Sequence, residues 1–341
     1  MILVDALYIN DGGGKILLDY LITNLNKSNL DVYFLLDDRI IGKHPEVKPD
    51  KVNYLKGSFF KRHSFYFKNK HRFSKVLCFG NLPPNIRLNA EVFTYFHQII
   101  YLSIPSEFSF VERFKFKLKI AILKQIAKNT DYWFVQSNFI KESLHSKFYF
   151  KPESIKILPF YPQFEPLNSV IVREKNSYLY VSNATPHKNH KRLIDVFCQF
   201  YDIYNVGKLV ITVNNDYPEV LEMIESKIKK KYPIENIGFV DRLTLQKKYL
   251  ASEFLIFPSL TESFGLGLIE AVECGCKVIG ADLEYTYEVC EPSLVFDPLN
   301  DSSIFKAFEN SLHGSIVKSS SSKIKNNINQ LINILQNNSC N

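Results

Sequence analysis

Residues 254–280 read FLIFPSLTESFGLGLIEAVECGCKVIG. The run 254–257 is apolar and has the length of a buried strand, and Pro258 with Ser259 ends it. Gly265 and Gly267 follow, residues 268–274 have helical character, and residues 277–281 read as the next strand. A strand–loop–helix–strand unit leaves free amides at the helix start, facing the crevice beyond the strand ends, and so favours an anion such as phosphate. Glu262 in the loop and Glu270 about one turn into the helix flank that position, with seven residues between them. Hydroxyl acceptors beside an anion site suit a ligand that carries both groups, a nucleotide-sugar. A buried junction with two surface glutamates would contain the same bare pair, so the pair alone decides little.

The alternation extends in both directions. Residues 2–8 predict a strand, 10–14 a glycine-rich turn, 16–25 a helix and 31–36 a second strand. Further apolar runs at 76–79, 92–96 and 132–135 complete a first α/β series with a parallel sheet. Pro159, Pro162 and Pro166 interrupt it, and 158–175 reads as a linker. A second series follows, with strands expected at 178–181, 208–213, 237–240, 254–257, 277–281 and 294–296. The expectation is two doubly wound, Rossmann-like domains, 1–165 and 166–315. A tail over 316–341 carries Ile324, Ile328, Leu331 and Leu335 at helical spacing.

The chain has 341 residues, a formal charge of +7, 28 Phe and 19 Tyr, and its size suits two cores. No apolar run reaches the ~18–20 residues that span a bilayer, and MILVDALYIND lacks the parts of a signal peptide. The expected location is therefore cytoplasmic. Six scattered Cys form no metal-type pair of pairs and read as free buried thiols. Charge is concentrated: residues 56–75 carry seven Lys or Arg, residues 113–128 carry six, and neither stretch has an acid. In the second stretch Phe116, Ile120, Leu123 and Ala127 make one helical stripe and Arg113, Lys117, Lys124 and Lys128 another. Cations interleaved with aromatics fit an anionic membrane surface, with a solvated face as the plain alternative. No nucleic-acid-binding motif accompanies the charge, so no nucleic-acid partner is expected. No metal is expected either: there is no Asp-any-Asp, no His-Glu-x-x-His, and no Gly-x-Ser-x-Gly elbow for a serine nucleophile.

Pro258-Ser259, Glu262-Ser263-Phe264-Gly265, Glu270-Ala271 and Cys274-Gly275 together resemble the signature frame of the retaining glycosyltransferases of family 4, which include bacterial surface-polysaccharide enzymes. The resemblance is strong over 178–298 and loose over 1–165. It implies the GT-B fold, with the active site in a cleft between two domains, and no cofactor beyond the nucleotide diphosphate-sugar as co-substrate. It implies that Glu262 holds the transferred sugar and Glu270 the ribose, with Ser263, Phe264, Gly265 and Leu266 lining the donor site. Lys188 in VSNATPHKNHKRL (181–193) matches the family's diphosphate-binding Lys. Asn183 stands where many members have Arg, a departure that leaves His187, His190, Lys191 or Arg192 to supply the second cation. Gly12, Gly13 and Gly14 would face the donor phosphates and acceptor, and His97 the transferred sugar; Asp11 and Glu107 are weaker members of the same cleft. The implied partners are a nucleotide-sugar, a glycan or lipid-linked acceptor, and the inner face of the cell membrane, where the protein would be peripheral. A nucleotide-sugar epimerase of the same fold, or a non-catalytic sugar-nucleotide-binding subunit, stays open as an alternative.

Overall fold

A computed structural model describes residues 1–104, 108–168, 170–313 and 317–337; Glu107 lies outside the described residues. The chain divides into two compact units, 1–162 with 325–341, and 163–324.

The first unit is built from β1 (Ile2–Ala6), α1 (Gly12–Lys27), β2 (Val32–Asp37), β3 (Val52–Leu55), α2 (Phe59–Asn69), β4 (Lys75–Cys78), β5 (Glu91–Tyr95), α3 (Phe110–Ile126), β6 (Tyr132–Val135), α4 (Asn138–Phe148) and β7 (Ile155–Ile157). Its strands form one parallel sheet in the order β3-β2-β1-β4-β5-β6-β7. Every residue of β1 and β2 is buried, as a sheet covered on both faces requires. Strand order reverses between β1 and β4, so right-handed crossovers put α2, α3 and α4 on one face and α1 on the other. β3 and β7 carry little sequence signal: one is half-buried throughout and the other only three residues long.

The second unit runs β8 (Glu174–Tyr180), α5 (His190–Tyr204), β9 (Lys208–Ile211), α6 (Pro218–Lys229), β10 (Ile234–Asn236), α7 (Arg242–Ala251), β11 (Ser252–Phe257), α8 (Leu266–Glu273), β12 (Lys277–Ala281), α9 (Glu284–Val289), β13 (Cys290–Glu291), β14 (Leu294–Phe296), α10 (Asp301–Ser311) and β15 (Ser321–Ser322). Its parallel sheet has the order β10-β9-β8-β11-β12-β14. The strand expected over 237–240 lies earlier, at β10. Asn236 turns its side-chain amide onto both backbone groups of Val213, and Gly238 adopts φ +61, which ends the ladder. β8 starts inside the expected linker, because its polar first residues and a left-handed Asn176 hide it.

A last helix, α11 (Ile328–Gln336), belongs to the first unit. It buries Ile328, Leu331 and Leu335 and packs beside α1. Lys75, buried in β4, donates to the carbonyls of Ile334 (2.7 Å), Leu335 (3.1 Å) and Asn337. A cation on the last carbonyls of a helix satisfies orphan acceptors and opposes the dipole. The 56–75 stretch is thus less of a surface than its composition suggests. Arg62 is buried as well, paired with Asp5 at 2.7 Å and donating to the carbonyls of Leu82 and Pro83.

Candidate active site

In an open parallel sheet, ligand sites form beyond the strand ends where strand order reverses. In the second unit that point lies between β8 and β11, and the loops leaving these two strands carry Lys188 and Glu262. Leu260 N–H donates to the His187 carbonyl at 2.8 Å and stitches the loops together. Tyr180 OH donates to the Lys188 carbonyl at 2.8 Å and lies 3.0 Å from Ser259 Oγ, while Tyr285 OH donates to the Ser259 carbonyl at 2.7 Å. Held in this way, Lys188 Nζ and Glu262 Oε1 form an ion pair, both side chains largely buried.

Gly265 ends the loop with φ +71, a conformation costly for a residue with a Cβ, and serves as the N-cap of α8. Helix geometry then leaves the amides of Leu266 and Gly267 without intrahelical acceptors. Ser263 is half-buried and Phe264 buried against this turn. Glu270 is only 3% exposed. Its Oε1 accepts from Arg242 at 2.8 Å and its Oε2 from Tyr249 OH at 3.1 Å. Burial pushes the Glu270 carboxyl up from its ordinary value, and the Arg242 guanidinium opposes that rise. Arg242 also lies 4.5 Å above the Phe164 ring. Neither Arg242 nor Tyr249 carried a sequence signal, because no local motif links α7 to α8.

Asn183 is exposed and accepts from Thr185 Oγ1 at 3.3 Å. The basic neighbours proposed to replace the usual Arg turn elsewhere: Lys191 pairs with Glu219, and Arg192 with Asp301. His190 is buried against Tyr180, ring centroids 4.6 Å apart, with neither ring nitrogen hydrogen-bonded. Burial lowers its pKa to about 3. His187 lies half-buried in the loop itself.

In the first unit, order reverses between β1 and β4. Gly12 and Gly13 are exposed at the start of α1, Gly12 at φ +58, and Asp11 is the N-cap. His97 follows β5; its N–H donates to Asn81 Oδ1 at 2.7 Å, and its Nε2 donates to the Phe79 carbonyl at 2.9 Å. That bond leaves Nδ1 as the acceptor of a neutral ring, and burial lowers the pKa to about 4. Gly14 makes room for it: a Cβ there would sit 3.2 Å from His97 Cε1. Among the described residues no group of His, Cys, Asp and Glu could hold a metal ion. None of their helices is long and apolar enough to cross a membrane.

Residues 164–331 match the family model described as "Glycosyl transferases group 1". The whole chain has the GT-B fold. It superposes on the sucrose-phosphate synthase of Thermosynechococcus elongatus with a TM-score of 0.73 at 18% identity, covering 92% of this chain and 89% of that one. For HepE of Anabaena in complex with UDP and glucose the TM-score is 0.68 at 13% identity, covering 92% and 90%. Among curated proteins, the O-antigen chain mannosyltransferase RfbU of Salmonella typhimurium is 25% identical over 204 residues, 59% of this chain and 56% of that protein. The matched segments thus span little more than half, or less, of the curated relatives' length.

Proposed function

We propose that this protein is a retaining, metal-independent glycosyltransferase, moving a sugar from a nucleotide diphosphate donor to a glycan acceptor carried on a membrane lipid. The observation that carries the reading is the Lys188–Glu262 pair at the switch point of the second sheet, with Glu270 buried in the helix that follows. The reading requires the pair to exchange partners. The ammonium turns to the diphosphate, where charge grows as the glycosyl C–O bond breaks, and the carboxylate accepts sugar hydroxyls. The acceptor oxygen attacks the face that the leaving group vacates, and the leaving phosphate takes its proton, so no enzyme nucleophile is needed. The Salmonella protein's role in O-antigen chains and the UDP held by HepE support a surface polysaccharide and a nucleoside diphosphate donor.

The membrane part rests on α3. Phe110, Val111, Phe114 and Leu118 are exposed on it among the charges of Arg113, Lys115, Lys117 and Lys119. Exposed Phe60 and Phe67 lie on α2, which the topology places on the same face of the sheet. An apolar stripe between cations suits an anionic bilayer at about 1 kcal/mol per cation, plus the burial of the rings.

A thermal-shift screen of nucleotide-sugars tests the donor site. One donor should stabilise the wild type and leave Glu270→Ala unmoved. Transfer from that donor to a lipid-linked acceptor should survive EDTA and keep the anomeric configuration by NMR. An inverted product or loss with EDTA would overturn the mechanism.

A further inference from the structure

We infer that Arg242, with Tyr249, is the positioning residue that holds Glu270 as a two-oxygen acceptor for a vicinal diol, and so makes the protein select nucleotides with an intact ribose. The inference rests on the proposed role of Glu270 at the ribose.

The two residues lie seven apart on α7, two helical turns, and so share a face. From that face each takes a different oxygen of the same carboxylate, Arg242 Oε1 at 2.8 Å and Tyr249 Oε2 at 3.1 Å. Each carboxylate oxygen can accept a second hydrogen bond, so one lone pair per oxygen remains, as a cis-diol needs. A carboxyl this deeply buried is a poor anion without a cation beside it, and a protonated carboxyl could not receive both hydroxyls. Arg242 supplies the charge from a fixed place, its guanidinium held over the Phe164 ring and its helix start capped by Asp241, which accepts from Thr244 N–H at 2.9 Å. Tyr249 is buried and cannot swing away. Lys191 and Arg192, closer in sequence to the diphosphate loop, are committed to Glu219 and Asp301. Arg242 is therefore the cation that the second unit commits to this carboxylate.

The test titrates ADP, GDP, CDP and UDP, each with its 2′-deoxy counterpart, into wild type, Arg242→Met, Arg242→Lys, Tyr249→Phe and Glu270→Gln by calorimetry, with circular dichroism as a check on folding. For whichever base binds, wild type should prefer the ribonucleotide about tenfold or more, the discrimination expected of a hydroxyl bonded to a charged acceptor. Arg242→Met should bring that ratio close to one in a folded protein, and Arg242→Lys should restore part of it, which a merely structural role would not. If Arg242→Met fails to fold, Arg242→Lys and Tyr249→Phe decide, each expected to reduce the ratio. An unchanged ratio in folded Arg242 variants, with Glu270→Gln abolishing it, overturns the inference and leaves the ribose site standing. An unchanged ratio in Glu270→Gln, or no ribose preference in wild type, overturns the ribose assignment itself.

Discussion

Lys188 and Glu262 meet across 74 positions of sequence, and each would be a stranded charge without the other. Under the proposed mechanism Glu262→Gln and Lys188→Met should each lower turnover by about 10²–10³, the range for removing one transition-state contact. Initial rates at saturating donor check this. Their stability costs should not add: the double variant removes both charges, so its loss of stability in denaturant melts should be smaller than the sum of the two single losses. His190 makes a different prediction. Its folded pKa lies near 3, against an ordinary value of 6.5. Above pH 6.5 folded and unfolded chains are both neutral there, so the stability is whole. As pH falls below 6.5 the unfolded chain takes a proton that the folded one refuses, and stability drops, by on the order of 3 kcal/mol by pH 4. His97, lowered to about 4, adds to the loss in the same direction. Melting curves from pH 7 to pH 4 should show the decline, and His190→Leu should flatten part of it.

Elements show where local pattern and packing diverge. The inward stripe of α3 emerges as its spacing predicts, Leu123 buried with Phe116 and Ile120 half-buried behind it. Its outward side, however, interleaves Phe114 and Leu118 with the cations instead of holding charge alone. A helix ending on a buried lysine is a second such case. Lys75 reads as part of a basic run, yet three carbonyls at the end of α11 accept from it. Lys75→Met should leave those carbonyls unpaired and loosen the helix by about 2 kcal/mol. Faster hydrogen exchange over 328–336 than elsewhere in the first unit would report this; uniform protection would rule it out.

For the whole molecule, net charge of +7 is modest, and placement matters more than total. Co-sedimentation with vesicles of anionic lipid should retain the wild type and lose about tenfold in affinity for the triple variant Phe110→Ser, Phe114→Ser, Leu118→Ser. Raising salt should weaken binding further, because the cations act over a Debye length. Equal binding to neutral vesicles would point to apolar insertion alone.

The α/β character, the two series of strands and the frame around Glu262 and Glu270 were legible in the sequence, because they depend on local period, on proline and glycine punctuation and on spacing within one loop and helix. So was the strand–loop–helix that places Glu270. What tertiary structure alone decided is which distant groups meet. Arg242 and Tyr249 join Glu270 from another helix, Lys188 reaches Glu262 from another strand's loop, and α11 returns to the first unit through Lys75. Such meetings depend on strand order and crossover, to which hydrophobic periodicity is blind: the same alternating pattern fits many orders of the same strands.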